Sequence, residues 1–305
     1  MSRSLPIFRR VTAMLLALVT AGPLLANEPL VLGSYAYPTL DRTLALTPLA
    51  QLVETVAGQP VEIRLYRDPD EIAAAVAAGQ VDVAVLNLGA WLRVARAGEV
   101  MPLATLVPAQ EVQDRYRAVL LARPQLGLAD LAQLAEAAPQ LRLAAVLPGS
   151  TSGGLVQLAA LADARSTPLG WGSVTYAGSH EAALQVLVNG DADLAAIAES
   201  PWRAWLTANP DPANHPREVW RSAPLPSGPV VCRQSARVAC TMLATALTSD
   251  SSASRAAAEG LATGWPELAG AERFLAYDPA RYAGLIGADI PGFGAREPFD
   301  SPSQH

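Results

Sequence analysis

The chain has 305 residues, and its 22 basic side chains, all of them Arg, are outnumbered by 28 acidic ones. This acidic balance and the lack of a basic cluster in the sequence argue against nucleic-acid binding and against docking on anionic lipid. The length suffices for one large domain or two of ordinary size.

The N-terminal segment has the layout of a secretory signal peptide. Arg3, Arg9 and Arg10 precede a short apolar run at 11–19, and small residues follow up to Ala26. The run is much shorter than the roughly 20 residues of a membrane-spanning helix, so we expect cleavage after Ala26 and export of the remaining chain. An uncleaved anchor is the alternative. The exported chain would carry 19 basic and 28 acidic residues, a formal charge of −9, so a site for an anion would have to attract it locally.

Strand-like and helix-like segments alternate along the rest of the chain, which predicts an α/β fold. The predicted strands are 29–34, 61–66, 81–86, 116–122, 141–146, 173–176, 193–198 and 230–233. The predicted helices are 44–57, 68–78, 90–97, 128–135, 155–165, 180–188, 236–247, 252–261 and 282–286. These units indicate two doubly wound lobes, and the polar, Pro- and Gly-rich tail at 292–305 is expected to be mobile.

The sequence Pro-Gly-Ser-Thr-Ser-Gly-Gly at 148–154 follows a predicted buried strand and opens a predicted helix. A helix N-terminus presents unpaired N–H groups and about half a positive charge. The hydroxyls of Ser150, Thr151 and Ser152 add neutral donors at the same point, and Gly153 lets a ligand approach the backbone closely. The loop therefore predicts a site for a tetrahedral oxyanion that needs no Lys or Arg.

Two other interpretations of this loop are open. Ser150 or Ser152 could simply cap the helix, although three consecutive hydroxyls between glycines exceed what a cap needs. The segment 149–153 also resembles the G-x-S-x-G nucleophile elbow of hydrolases, but Thr151 stands where the nucleophilic Ser is expected. A hydrolase using Thr151 or Ser152 is therefore a remote alternative. Neither an H-E-x-x-H, a P-loop nor a G-x-G-x-x-G motif is present, so we expect no metal or cofactor.

A second loop, Ala-Gly-Ser-His-Glu at 177–181, also joins a predicted strand to a predicted helix. His180 stands at the start of that helix, where its imidazole can donate one or two hydrogen bonds to an anion. A capping or packed His is the alternative. Because this loop parallels the loop of hydroxyl residues, we expect His180 to face the same ligand.

The two cysteines, Cys232 and Cys240, both lie in the part of the chain that would be exported. An oxidising compartment favours a disulfide between them, and two separately buried thiols are the alternative. A metal site is disfavoured because only His215 lies nearby in the sequence.

Five stretches together cover a large part of the exported chain. They are AAAVAAGQVDVAVLNLGAWLRV at 73–94, PGSTSGG at 148–154, YAGSHEAALQVLVNGDADLAAI at 176–197, VWRSAPLPSGPVVCR at 219–233 and FLAYDPARY at 274–282. In this content and order the chain resembles the periplasmic phosphate/phosphite/phosphonate-binding proteins of ABC transporters. The stretch at 176–197 is the most specific, with Gly-Ser-His, an apolar-rich segment and then Val-Asn-Gly-x-Ala-Asp.

The resemblance implies two doubly wound α/β lobes joined by crossing hinge strands, with the ligand clamped in the cleft between them. The first lobe would comprise 27–112 and 225–291, and the second 113–224. The implied partners are a small oxyanion of the phosphonate, phosphite or phosphate class and an ABC permease in the inner membrane. We expect a monomer that is not an enzyme. An oxyanion sensor on the same fold, reporting to a signalling partner, is the alternative to transport.

The resemblance also implies roles for particular residues. Ser150, Thr151, Ser152 and His180 would hold the tetrahedral head group. Glu199 would lie near the position where aminophosphonate binders place an acid for the substrate amine.

The first half of the chain contributes two further candidates. Trp91 stands where the family usually has a Tyr, and since an indole offers one N–H donor and no acceptor, the head-group contact or the cavity shape would differ. Tyr37, in the loop after the first strand, is an aromatic and hydroxyl candidate for the cleft.

Overall fold

The computed structural model describes residues 28–285, apart from 96–97, 99, 128–129, 165–170, 213–214, 236 and 284. The predicted signal peptide, 1–26, and the predicted mobile tail, 292–305, lie outside the described residues. The described strands are β1 (Leu30–Tyr35), β2 (Val61–Tyr66), β3 (Val83–Val85), β4 (Val100–Leu106), β5 (Ala118–Ala122), β6 (Arg142–Ala145), β7 (Ser173–Tyr176), β8 (Leu194–Ala198), β9 (Arg217–Arg221), β10 (Val230–Arg233) and β11 (Phe274–Ala276). The described α-helices are α1 (Arg42–Ala57), α2 (Pro69–Ala77), α3 (Leu88–Ala95), α4 (Gln110–Gln113), α5 (Leu131–Ala137), α6 (Val156–Asp163), α7 (His180–Val188), α8 (Glu199–Ala208), α9 (Cys240–Leu247) and α10 (Ser252–Gly264).

Six strands form the sheet of the first lobe, in the order β11-β4-β10-β3-β1-β2. β1 pairs in parallel with β2 and β3, whereas β10 and β11 run antiparallel to their neighbours. Side chains of β1 alternate between two cores, as the pleat of a strand requires. Leu30 and Leu32 pack with α1, α9 and α10, whereas Val31 and Tyr35 pack with α2 and α3. Helices therefore cover both faces of this sheet.

Five strands form the sheet of the second lobe, in the order β7-β6-β8-β5-β9. β6 pairs in parallel with β7 and β8, and β5 runs antiparallel to β8 and β9. The apolar run of β5 is buried on both faces. Val119 and Leu121 pack with α7, and Leu120 packs with α5 and α6.

The chain passes between the lobes twice, at 107–117 and at 222–229. The two crossings run side by side, because the Ser222 N–H donates to the Ala118 carbonyl and the Leu225 N–H donates to the Tyr116 carbonyl. This architecture confirms the predicted α/β fold of two doubly wound lobes. The division of the chain after residues 112 and 224 stays a prediction about which parts move as units. Among the described helices, none has the length and apolar character needed to cross a membrane.

Most predicted elements are present, but β4, β9, β11, α4 and α8 were not predicted. Pro102 interrupts the strand pattern of β4, and the opposing register shifts between Val230 and Val231. β9 carries three charged residues and pairs with β5 at the edge of its sheet. Its sequence therefore has the polar character of a loop. The predicted helix at 282–286 is preceded by a 3₁₀ turn at Pro279–Tyr282, and residues 284 and 286 lie outside the described part.

The structure contains the disulfide between Cys232, on β10, and Cys240, the first residue of α9, with Cα atoms 5.7 Å apart. Both cysteines are buried in the first-lobe core. The bridge closes a short loop, so it restricts the unfolded chain and fixes where α9 leaves the sheet.

Replacing both cysteines, as Cys232→Ala/Cys240→Ala, should lower the free energy of unfolding by about 2–3 kcal/mol, because the short loop is freed in the unfolded state. Urea unfolding of the variant and of the oxidised wild-type protein measures the difference. Wild-type protein unfolded under reducing conditions is the matched control and should lose a similar amount. Equal stability of all three samples would contradict a structural role for the bridge.

Candidate ligand-binding site

A cavity of about 230 Å³ lies between the two lobes. Its walls include residues at the carboxyl ends of four strands: Tyr35 of β1, Asn87 after β3, Leu147 after β6 and Ala198 of β8. Crevices beyond the carboxyl ends of parallel strands are where such sheets bind ligands. The fold therefore places this cavity where a ligand site is expected.

The loop after β6 brings Ser150, Thr151 and Ser152 to the cavity wall. The chain turns at Gly149, whose φ of +73° favours glycine, and then forms a π-turn closed by the Leu155 N–H donating to the Ser150 carbonyl at 3.0 Å. The Ser150 side chain makes no helix-capping hydrogen bond. The hydroxyl of Ser150 is thus not used as the cap that was the alternative interpretation.

Gly153 lies against the strand rather than on the cavity wall, contrary to expectation. A Cβ atom there would lie 2.3 Å from Val146 Cγ2 and 2.7 Å from Ser150 Oγ. The Gly153 carbonyl also accepts a hydrogen bond from the Val146 N–H at 2.9 Å. Tight packing of the π-turn on β6 is therefore one reason for a glycine at this position.

The same loop contacts the first lobe directly. Thr151 Oγ1 accepts a hydrogen bond from the Gly89 N–H at 2.9 Å, and Asn87 Nδ2 donates to the Gly149 carbonyl at 3.0 Å. A Cβ atom on Gly89 would lie 2.9 Å from that carbonyl oxygen. The lobes are therefore closed on each other, and their contact depends on a glycine at the start of α3.

His180 begins α7 behind the cap formed by Ser179 and lines the cavity. Its Nδ1 accepts a hydrogen bond from the Ala198 N–H at 3.0 Å, which assigns the proton of the neutral ring to Nε2. Its backbone N–H donates to the Tyr37 hydroxyl across the lobes at 3.2 Å. Burial lowers the pKa of His180 to about 4. At neutral pH this residue is therefore an uncharged donor through Nε2.

Nitrogen NMR should show His180 protonated at Nε2 near neutral pH and titrating at about pH 4. The unfolded ring has its ordinary pKa of 6.5, so it becomes protonated as the pH falls below 6.5, whereas the folded ring stays neutral until about pH 4. Above pH 6.5 His180 makes the free energy of unfolding neither rise nor fall with pH. As the pH falls from 6.5 to about 4, protonation of the unfolded ring lowers the free energy of unfolding. A His180→Gln variant should lose that part of the pH dependence. A titration midpoint near 6.5 would contradict the buried neutral ring.

Two tyrosines place hydroxyl groups at the cavity. Tyr37 lines it as expected, and burial raises the pKa of its phenol to about 12. Tyr116, on the first crossing segment, was not predicted as a site residue; burial raises its pKa, and hydrogen bonding with Ser152 and Thr151 opposes that shift. Both phenols therefore remain protonated donors at neutral pH.

Charged side chains at the cavity were missed by the sequence analysis. Arg42, the first residue of α1, lines it, as do Glu181 and Glu267. Burial raises the pKa of Glu267, and the charge of Arg42 opposes this. Since Arg42 stands in an ordinary helix sequence, no motif points to it. The sequence predicted a site made of neutral donors, whereas the cavity wall also contains one buried cation, Arg42.

Residues 39–272 match the family described as "ABC transporter, phosphonate, periplasmic substrate-binding protein". The match spans well over half of the chain.

The chain belongs to this phosphonate-binding family. Its members are periplasmic substrate-binding components of ABC import systems.

Solved structures show the same fold at low sequence identity. The Xanthomonas citri protein XAC2383 bound to ATP is 19% identical with a TM-score of 0.67, covering 87% of this chain and 96% of that one. PhnD1 from Prochlorococcus marinus, in complex with methylphosphonate, is 15% identical with a TM-score of 0.58, covering 86% and 98%. A binding protein component of an ABC phosphonate transporter from Pseudomonas aeruginosa is 18% identical with a TM-score of 0.57, covering 85% of each chain. No curated protein matched in the corresponding comparison.

Trp91, which was predicted to change the head-group contact or the cavity shape, does not line the cavity of this phosphonate-family protein. This residue is 3% exposed, and its side chain packs in the part of the first-lobe core that contains residues of α2 and α3. The ring meets Tyr277 edge-on, with centroids 5.5 Å apart. The large apolar indole is stabilised by burial in this core, while Gly89, two residues earlier, faces the other lobe.

Glu199, which the resemblance implied as an acid for a substrate amine, is not among the residues that line the cavity. Its side chain is 1% exposed, and its Oε1 accepts from Arg203 Nε at 2.6 Å and from Arg221 Nη1 at 2.7 Å. Arg117 Nε lies 3.8 Å from its Oε2. A desolvated carboxylate needs compensating charge, and three arginines supply it here. The next residue, Ser200, takes the place on the cavity wall.

Proposed function

We propose that this phosphonate-family protein captures a small phosphorus oxyanion, such as a phosphonate, phosphite or phosphate, for import by an ABC permease. The observation that carries the proposal is the convergence of Ser150, Thr151, Ser152 and His180 on one cavity between the lobes. These groups are hydrogen-bond donors that keep their protons at neutral pH. A tetrahedral head group offers several acceptor oxygens, which suits such a set of converging donors.

The volume of the cavity supports a small ligand. About 230 Å³ is less than the roughly 300–1,000 Å³ of sites that hold drug-sized molecules. The solved relatives bind methylphosphonate in one case and ATP in another. In the closed arrangement the cavity suits a ligand of the size of methylphosphonate, not one of the size of a nucleotide.

Closure of the lobes gives a capture mechanism without chemical change in the ligand. The Ser-Thr-Ser loop and His180 hold the head group on the second lobe, while Tyr37 approaches from the first. A ligand that touches both walls adds to the bonds between Gly89 and Thr151 and so favours the closed state. We propose that a monomer, exported by cleavage after Ala26, presents this closed form to the permease.

A thermal-shift panel of methylphosphonate, phosphite and phosphate tests the proposal. A ligand at about 100 times its Kd adds about 2.7 kcal/mol to the free energy of unfolding, which corresponds to a rise in Tm of about 5–10 °C for domains of this size. Ser152→Ala should reduce the rise, whereas Ser252→Ala, at an exposed position on α10, should keep it. No rise with any of the three ligands at millimolar concentration would overturn the proposal.

A further inference from the structure

Arg42 is buried, and no carboxylate of the described residues lies at hydrogen-bonding distance from its guanidinium. This residue is 3% exposed, yet it lines the cavity, and among the described lining residues it is the only Arg or Lys. A buried charge is costly unless it is paired and hydrogen-bonded. The contacts of its guanidinium therefore indicate what the site is built to accept.

Two of its nitrogens are bonded to backbone carbonyls. Nε donates to the Gly264 carbonyl and Nη1 donates to the Tyr35 carbonyl, each at 3.0 Å. The guanidinium carbon also lies 4.0 Å from the Tyr35 ring centroid and 4.3 Å from that of Trp265. These contacts fix the group and stabilise a cation through the aromatic faces.

Within the described part of the chain, the one side-chain hydrogen bond of this guanidinium is with the neutral phenol of Tyr35. The same part of the chain holds no carboxylate within 4.0 Å of Arg42. Glu267 lines the same cavity but stays beyond that distance, and Glu181 is exposed at the first turn of α7, where water screens its charge. No carboxylate of the described residues therefore neutralises the guanidinium at contact distance, and its charge can act on a ligand in the cavity.

Arg42 lies close to the donors that are proposed to bind the head group. Its guanidinium carbon lies 5.2 Å from the ring centroid of Tyr37, whose hydroxyl accepts from the His180 N–H. After burial, which is the main cause, the Arg42 charge further lowers the pKa of His180, while Glu181 raises it. The cation and the neutral donors thus face one another across a single small cavity.

We propose that Arg42 supplies the charge that sets the ligand class: the site selects a doubly ionised oxyanion over a singly charged one of the same shape. This inference rests on the proposed function, because it concerns the anion held by Ser150 to Ser152 and His180. The neutral donors recognise the tetrahedral oxygens of either anion. The additional charge–charge interaction with Arg42 distinguishes them.

Methylphosphonate and methanesulfonate provide the test, because both carry one methyl group and three oxygens on a tetrahedral centre. At mildly alkaline pH the phosphonate is doubly ionised and the sulfonate carries a single charge. Calorimetric titration should show the wild-type protein binding methylphosphonate more tightly by about 10- to 100-fold, the range of a charge-assisted hydrogen bond. Arg42→Gln should bring the two affinities close together, mainly by weakening methylphosphonate.

Two further variants separate charge from folding. Arg42→Lys keeps the charge but loses the planar fork, so it should weaken both ligands while keeping a preference for the phosphonate. Arg255→Gln, on the exposed face of α10, should leave both affinities unchanged. The stoichiometry of each titration reports the folded fraction.

The outcomes are distinct. If the Arg42→Gln protein weakens both ligands equally, Arg42 is structural and the inference is overturned while the proposed function stands. If Arg42→Gln does not fold, equal affinity of the wild-type protein for the two ligands overturns the inference, and loss of the preference in Arg42→Lys does the same. If the wild-type protein binds neither ligand, the proposed function falls and takes the inference with it.

Discussion

Gly89→Ala should lower the affinity for methylphosphonate by about 10- to 100-fold while leaving the protein fully folded. The added Cβ would lie 2.6 Å from Leu155 Cδ1 and 2.9 Å from the Gly149 carbonyl oxygen, both on the opposite lobe. Overpacking of this kind costs about 1–3 kcal/mol. The cost falls on the closed state alone, because only closure brings these atoms together.

The open state gains from the same change. Gly89 lies in the first turn of α3, and alanine is preferred to glycine in a helix by up to about 1 kcal/mol. The ligand-free variant should therefore unfold at a temperature no lower than that of the wild-type protein, while calorimetry shows the weaker binding. Small-angle scattering with ligand should report a more open shape than for the wild-type complex.

Gly260→Ala is the matched control for the closure variant. Its Cβ would lie 2.8 Å from the Ala45 carbonyl oxygen, but both residues belong to the first lobe, on α10 and α1. This variant should lose stability by about 1–3 kcal/mol, and its folded fraction should bind the ligand as the wild-type protein does. Unchanged affinity in the Gly89→Ala protein would show that Gly89 does not control closure.

Glu199→Ala should lower the free energy of unfolding by about 2 kcal/mol, less than the 3–5 kcal/mol typical of a broken buried ion pair because its arginine partners reach solvent. The carboxylate is held by Arg203 and Arg221, with Arg117 close by. Arg117 ends the first crossing segment, and Arg221 ends β9 directly before the second. Removing the carboxylate leaves three arginines clustered without their shared counter-ion. Urea unfolding measures the loss.

Glu218→Ala tests the same arginine from the surface. Glu218 pairs with Arg221 at 2.6 Å but is partly exposed, and an exposed pair contributes about 0–1 kcal/mol. This variant should therefore cost much less stability than Glu199→Ala. A large loss of ligand affinity in Glu199→Ala protein of unchanged stability would instead support a place for Glu199 in the cleft.

The alternation of strands and helices was readable from the sequence because each element meets a simple physical requirement. β5 and β8 are continuous apolar runs, as strands buried on both faces must be. α1 and α7 begin directly after Asp41 and Ser179, whose side chains cap them. β4 and β9 were not predicted because Pro102 interrupts the strand pattern of β4 and three charged residues make β9 resemble a loop.

The direction of single side chains was not readable in the same way. The sequence places Glu199 at the end of β8, but the three arginines around its carboxylate come from two distant strand ends and its own helix. Trp91 and Gly89 are two residues apart on α3, and contacts with remote segments decide that Trp91 packs in the core beside Tyr277 while Gly89 meets the other lobe. These outcomes depend on contacts between segments that are remote along the chain.

Arg42 is a site residue that could not be predicted from the sequence. The residues that make it a site residue are Tyr35, Trp265 and the Gly264 carbonyl, and the last two lie more than 200 positions later in the chain. A motif such as Ser150-Thr151-Ser152 is local and visible. A buried cation assembled from three segments is visible only in the folded protein.

A crystal structure of the protein with saturating methylphosphonate tests the central claim most directly. We predict one ligand in the cavity between the lobes, with its phosphonate oxygens within hydrogen-bonding distance of the Ser150, Thr151 and Ser152 loop and of His180 Nε2. An empty cavity under these conditions, or a phosphonate bound elsewhere on the molecule, would contradict the account.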